Sequence, residues 1–226
     1  MSYLNQLLFG VYPYLAGTVF LVGSLVRFDR DQFTWKAGSS QMLRTRNMVA
    51  ASNLFHLGIL GIFFGHLVGL LTPPEVFHAL GVSPSAKQLL AVVAGGVFGL
   101  MCLVGLLMLV HRRLTDDRVR ATSTRMDIFV LALLLAQLCL GLLTLPVSLH
   151  HLDGANMLQL MSWARNVVTF DPAVAVASLQ GIGWLFKAHL LLGMTIFMVF
   201  PFSRLVHIWS APLGYLGRPY QIVRQR

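Results

Sequence analysis

The stretch MVAASNLFHLGILGIFFGHLVGLL, residues 48–71, decides the fold class. It runs for 24 residues without a single Asp, Glu, Lys or Arg. About 20 mainly apolar residues suffice for a helix to cross the hydrocarbon core of a bilayer. Its polar insertions, His56 and His66, are ionisable groups in an apolar run. Such groups are costly inside a membrane and mark functional positions there.

Four further segments have the same character, at roughly 4–26, 89–111, 127–149 and 184–206. The whole chain agrees with that reading. Hydrophobic residues make up 56% of its 226 residues and charged residues 11%, where a soluble domain carries about 25%. Disorder is excluded, because a disordered chain needs few apolar residues and many charges. The expected fold is all-α, a bundle of five transmembrane helices forming one integral-membrane domain over 1–226. No internal repeat or second domain is evident. The first segment carries no charge before Arg27 and has no evident cleavage site, so it reads as a retained helix.

The formal charge of +9 could suggest nucleic acid, but the charges lie in short gaps between apolar runs and no basic stripe carries interleaved aromatics. Topology explains them. The gap after the first span holds Arg27, Arg30, Lys36, Arg44 and Arg46; the gap after the third holds Arg112, Arg113, Arg118, Arg120 and Arg125; the C-terminal end holds Arg204, Arg218, Arg224 and Arg226. The alternate gaps hold Lys87, Arg165 and Lys187, so the bias is fourteen against three. The positive-inside rule puts the N-terminus outside, on the periplasmic face, and the C-terminus in the cytoplasm. The longest outer gap, about 150–183, is expected to form a short helix at the membrane surface. The two cysteines, Cys102 and Cys139, lie inside apolar runs and form no metal or disulfide pattern.

Direction pairs the histidines. The second span runs outward, so His56 lies near the cytoplasm and His66 nearer the outside. The fifth runs inward, so His189 is outer and His207 cytoplasmic. His56 then faces His207, and His66 faces His189. Neutral imidazole is a good iron ligand, and axial ligands from facing helices are a common way to hold a haem in a bundle. The alternative is four imidazoles hydrogen-bonded to neighbours. Along ideal helices the first two histidines are roughly 15 Å apart and the last two about 27 Å, so tilt or a kink at Pro201 must absorb the mismatch. Gly58, Gly61, Gly65 and Gly69 recur at helical spacing, which suits close approach of a helix or of a flat macrocycle. Arg204, three residues before His207, and Arg112, at the inner end of the third span, can pair with a haem propionate or can simply carry the positive-inside signal. His78, His111, His150 and His151 have no evident partner.

These residues lie in stretches with a wider likeness: YPYLAG (12–17), QFTWKAGSSQML (32–43), ASNLFHLGILGIFFGH (51–66), TLPVSLHHLDG (144–154) and FPFSRLVHIWSAPLGYL (200–216). With them the chain resembles, over essentially its whole length, the gamma subunit of bacterial membrane-bound respiratory nitrate reductase, a dihaem b-type cytochrome. The resemblance implies two haem b groups, the inner on His56 and His207 and the outer on His66 and His189. It implies a quinol-oxidising site near the outer haem, with the family lysine falling on Lys87 beside Gly65 and His66. Lys87 is the only cation of its loop; an ammonium there could hydrogen-bond a quinol oxygen, or could be an interfacial lysine that snorkels.

On this likeness the chain takes electrons from menaquinol or ubiquinol at the outer face of the bacterial inner membrane. It passes them through both haems to a cytoplasmic iron–sulfur subunit, and a molybdenum subunit reduces nitrate. Protons are released outside. The loops 27–47 and 112–126 and the tail 208–226 are the expected docking surface, and the tail also suits anionic lipid. Other readings are a dihaem anchor for a different reductase, such as one acting on sulfur compounds, a histidine-relay transporter, and a bare scaffold.

Overall fold

The computed structural model describes residues 3–38, 40, 43, 47–210 and 217. Arg44, Arg46, Arg218, Arg224 and Arg226, and most of the tail proposed as a docking surface, lie outside the described residues.

Five helices are long and apolar enough to cross a membrane. They are α1 (Tyr3–Arg30), α2 (Met48–Leu71), α4 (Pro84–Thr115), α6 (Arg125–Leu149) and α9 (Trp184–Val199, followed by a tight turn to Phe202). Among the described residues no strand occurs. Shorter helices fill the gaps: α3 (Pro74–Ala79), α5 (Asp117–Ala121), α7 (Ala155–Val168) and α8 (Pro172–Ser178). The protein is therefore an all-helical, multi-pass membrane protein.

Helix ends follow local chemistry. Ser83 caps α4 by accepting from the Ala86 amide, and Pro84 stands at the first helical position. Thr124 and Asp127 form a capping box at the start of α6. α4 extends beyond the expected 89–111 at both ends, because its polar flanks continue the helical hydrogen bonds past the apolar core.

The larger difference is at the end of α9. The expected span to residue 206 stops as an α-helix at Val199, two residues before Pro201. Proline lacks the amide that the ladder needs and its ring clashes with the preceding turn. The chain continues in 3-10 turns, Phe200–Phe202 and Arg204–Ser210, so His207 stands on a 3-10 segment rather than on a kinked span. The rise per residue of an ideal α-helix does not apply between His189 and His207.

α2 packs most extensively on α4, and α4 in turn on α6. α9 packs on both α1 and α6, which closes the bundle. Two glycines make the α2–α4 approach possible. A Cβ on Gly105 would run into the Phe55 amide nitrogen and the Ala51 carbonyl, and one on Gly58 would meet the backbone of Cys102. Leu106, Cys102 and Leu138 fill the seam between α2, α4 and α6. A second cluster, with Phe9, Trp163, Val176, Leu179 and Phe186, joins α1 to α7, α8 and α9. The long gap thus holds two helices rather than one. Trp163 of α7 is buried and its indole donates to the Phe9 carbonyl, 3.2 Å. Elsewhere large apolar side chains such as Leu60, Phe64, Leu100 and Leu143 face outward, as lipid-facing residues do.

Candidate haem-binding site

His66 of α2 and His189 of α9 meet across the bundle and form the far-end pair. His56 lies ten residues before His66 on α2, and His207 lies on the turns beyond α9 beside Arg204; these belong to the arginine-rich end of their segments. His56 and His66 project from α2, where each ring nitrogen Nδ1 bonds a carbonyl one turn back. Nδ1 of His56 lies 2.7 Å from Ser52 O, and Nδ1 of His66 lies 2.8 Å from Ile62 O. His207 Nδ1 lies 2.6 Å from Arg204 O. A carbonyl only accepts, so Nδ1 carries the proton in all three rings. Nε2 is then left with its lone pair. This is the second-shell arrangement that fixes the tautomer and orientation of metal-ligating histidine. His151 makes the same bond to Val147 O at the exposed end of α6, so the bond alone does not define a ligand. Pairing does.

The far-end pair is assembled. The His66 and His189 ring centres lie 6.1 Å apart with an angle of 41° between their planes. Two imidazoles on opposite sides of one metal ion, each bonded at about 2 Å, place their ring centres roughly 6 Å apart. The separation fits a bis-histidine haem. His189 differs from the other three. Its Nε2 lies 3.4 Å from the Gln137 amide nitrogen, a long contact. Its Nδ1 and the Gln137 Oε1 are buried without partners among the described residues. An amide nitrogen only donates, so Nε2 carries the lone pair in this ring too and Nδ1 the proton; with only that long contact to hold it, the Nε2 lone pair is the one suited to a metal bond. Gly141 gives this ring its place, since a Cβ there would stand 2.9 Å from His189 Cε1.

The pair at the arginine-rich end is not joined in this way. No ring contact links His56 to His207 among the described residues. What the structure does bring to this level is charge. Arg112 donates from Nη1 to Ser40 Oγ, 2.6 Å, and from Nη2 to Ser40 O, 2.7 Å. Arg204 donates from Nε to Asp127 Oδ1, 2.8 Å, and from Nη2 to Gly38 O, 2.9 Å. Both arginines therefore hold the loop after α1, and Arg204 also carries the carbonyl that receives His207.

The glycines of α2 divide. Gly58 and Gly61 face α4, where a Cβ would strike Cys102 and the Phe98 ring, so they serve helix packing. Gly65 and Gly69 have open space where their Cβ would be, at the level of His66. Those two are the glycines that can admit a flat macrocycle or a headgroup.

Lys87 lies in the first turn of α4 and is 6% exposed, so it does not snorkel. Its ammonium donates to Gly69 O at the end of α2, 2.8 Å, and to Met161 Sδ of α7, 2.7 Å. It also stands 3.9 Å over the Phe77 ring of α3. The adjacent Gln88 is buried and donates to Ser148 O and His151 O, tying α4 to the end of α6. Four elements thus converge around one cation, one helical turn beyond His66.

Comparison with known proteins fixes the lineage. The family model described as "Nitrate reductase gamma subunit" matches residues 5–226. The chain belongs to the nitrate reductase gamma subunit family. It is similar to respiratory nitrate reductase 1 gamma chain of Escherichia coli, at 53% identity over the full length of both chains. It is 52% identical to respiratory nitrate reductase 2 gamma chain of the same organism, over all of this chain and 99% of that one. The nitrate reductase gamma chain of Bacillus subtilis is 36% identical over 98% of this chain and 99% of its own length. These relatives are named as gamma chains of nitrate reductases, and this chain has five helices apolar enough to cross a membrane.

Within this gamma-family chain the structure adds residues that the sequence reading passed over. Gln137 is a lone amide inside the apolar run LALLLAQLCLGLL, itself a signal of an intramembrane role. Asp127 and Arg113 form a buried pair, Nη1 to Oδ2 at 3.7 Å. Thr124 and Asp127 carry a readable capping pattern, but nothing local shows that the same carboxylate would receive Arg204.

Proposed function

We propose that this chain is the quinol-oxidising membrane subunit of a respiratory nitrate reductase in the bacterial inner membrane, with its N-terminus periplasmic and its C-terminus cytoplasmic. Two b haems are held by His66 with His189 at the outer level and by His56 with His207 at the inner level. The observation that carries this is the His66–His189 pair, 6.1 Å apart on two helices, in a chain of the gamma subunit family. Haem b supplies reversible one-electron transfer when bound.

The residues divide the work by level. At the outer level Lys87, Gly65 and His66 form the quinol site. The Lys87 ammonium is desolvated and fixed by Gly69 O, while a sulfur and a ring face take its other sides. Those two are weak partners, so a quinol oxygen can replace either of them. An ammonium so placed stabilises negative charge as the quinol loses its protons. Gly65 leaves room for the headgroup beside His66.

At the inner level Arg112 and Arg204 would supply the cations for the propionates, and their hold on Ser40 and Gly38 ties them to the loop after α1. Partner subunits carrying iron–sulfur and molybdenum centres dock there and receive the electrons; anionic lipid suits the same arginines. Moving an electron inward against a negative interior costs about 2.3 kcal/mol per 100 mV, so oxidising quinol outside conserves energy.

The test uses the assembled complex in membranes. Lys87→Ala is expected to keep the full haem content and to slow haem reduction by a soluble quinol analogue at least tenfold. Reduction at the wild-type rate would remove Lys87 from the site. A chain that binds no haem when folded and supplied with it would overturn the whole reading.

A further inference from the structure

His56 and His207 make the same kind of hydrogen bond, but their acceptors are anchored differently. The carbonyl that receives His56 Nδ1 belongs to Ser52, four residues back in a regular α-helix. The helical ladder fixes that carbonyl. The carbonyl that receives His207 Nδ1 belongs to Arg204, at the start of the 3-10 run that follows the Pro201 break. Runs of 3-10 turns have poorer hydrogen-bond geometry and are short when unsupported. Something outside the segment must fix Arg204.

Two elements grip the segment. From α1, Arg27 Nη1 donates to Pro201 O at 2.7 Å and to Ser203 O at 2.8 Å, taking up carbonyls at the break. From α6, Asp127 Oδ1 accepts Arg204 Nε at 2.8 Å. Asp127 is itself buried and immobilised. Its Oδ2 accepts the Thr124 amide at 3.0 Å and lies 3.7 Å from the buried Arg113. A charge-assisted bond to a fixed carboxylate is the strongest single anchor Arg204 has.

We infer that Asp127 is a positioning residue for the inner haem ligand: it fixes Arg204, whose peptide carbonyl orients the His207 imidazole. The relay runs from carboxylate to guanidinium, then through Arg204's own backbone to the ring. It serves His207 alone, because His56 and His66 take their orientation from α2. This inference rests on the dihaem reading of the chain.

The test is made on the complete membrane-bound complex, by redox titration of haem absorbance and by low-temperature EPR of the oxidised haems. The inner component is identified as the one lost in His207→Ala. Asp127→Asn retains an acceptor for the Thr124 amide but removes the charge. It is expected to alter the EPR signal of the inner component and to move its reduction equilibrium constant about threefold or more, since outer-shell partners tune the metal they surround. The outer component stays at its wild-type position, and Asp127→Glu restores the inner one. Arg120→Gln breaks the exposed pair with Asp117 on α5 without touching Asp127, and is expected to leave both components unchanged. Should Asp127→Asn not assemble, Asp127→Ser removes the carboxylate while keeping a short acceptor for the Thr124 amide and leaving Arg204 in place, and must give the same selective shift.

Wild-type inner signals in Asp127→Asn or its substitute, equal shifts in both components, or an Arg120→Gln effect of the same size would overturn the inference. Each of those results leaves two haems in the wild-type chain, so it is distinct from failure of the dihaem reading, in which the wild type binds none.

Discussion

At the far end of the bundle, both histidines project from regular helices and their rings already lie 6.1 Å apart. At the arginine-rich end, one histidine projects from a helix and the other from 3-10 turns beyond a proline, with no ring contact between them. The first pair is placed by packing, through Gly141 under the His189 ring and through the glycine seam that brings α2 against α4. In the second, His56 is held by its own helix and the segment of His207 is gripped by charge, through Arg27, Asp127 and Arg204. A regular helix supplies its own hydrogen-bond frame, whereas an interrupted one borrows its frame from neighbours. The far-end pair should therefore respond to changes of volume, and the arginine-rich pair to changes of charge.

The largest effect is expected from Gly105→Val, which abolishes the contrast. Its side chain would meet backbone atoms of α2, which cannot move aside as a flexible side chain can. Overpacking typically costs about 1–3 kcal/mol, and a backbone obstacle puts this site at the upper end. Because α2 carries a histidine of each pair, haem content should fall at both levels, measured by pyridine haemochrome together with the melting temperature in detergent. Gly141→Val is expected to act on one level only. It displaces the His189 ring, so the outer component should broaden or disappear from the EPR spectrum while the inner one persists. The smallest effect is expected from Arg27→Gln, which removes the charge on the bonds to Pro201 O and Ser203 O. Hydrogen bonds to charged groups are worth about 1.5–3 kcal/mol, and here part of that is recovered through water. The inner EPR signal should become more heterogeneous with haem content kept, and an outer change instead would contradict the division.

Much of this was legible in the sequence because a bilayer imposes a strong rule: every backbone polar group must be satisfied within a helix. Five apolar runs therefore sufficed to place α1, α2, α4, α6 and α9. The meeting of His66 with His189 followed from the direction of their spans. The break after Val199 was legible only as a kink, since Pro201 says that the ladder is interrupted but not what conformation follows. Gly58 and Gly65 look alike in sequence; only the position of α4 separates a packing glycine from an open one. The burial of Lys87 was hidden for the same reason, because Gly69, Phe77 and Met161 reach it from three other elements. The bond of Asp127 to Arg204, 77 residues away, is a tertiary fact that no local pattern carries.

The central claim is that each histidine pair holds one haem. The most direct measurement is the haem stoichiometry of the purified complex in wild type, His66→Ala and His56→Ala, by pyridine haemochrome with redox titration. The account predicts two haems b per chain in the wild type and one in each variant, the surviving component differing between the two. Two haems retained in either variant, or the same component lost in both, would contradict it.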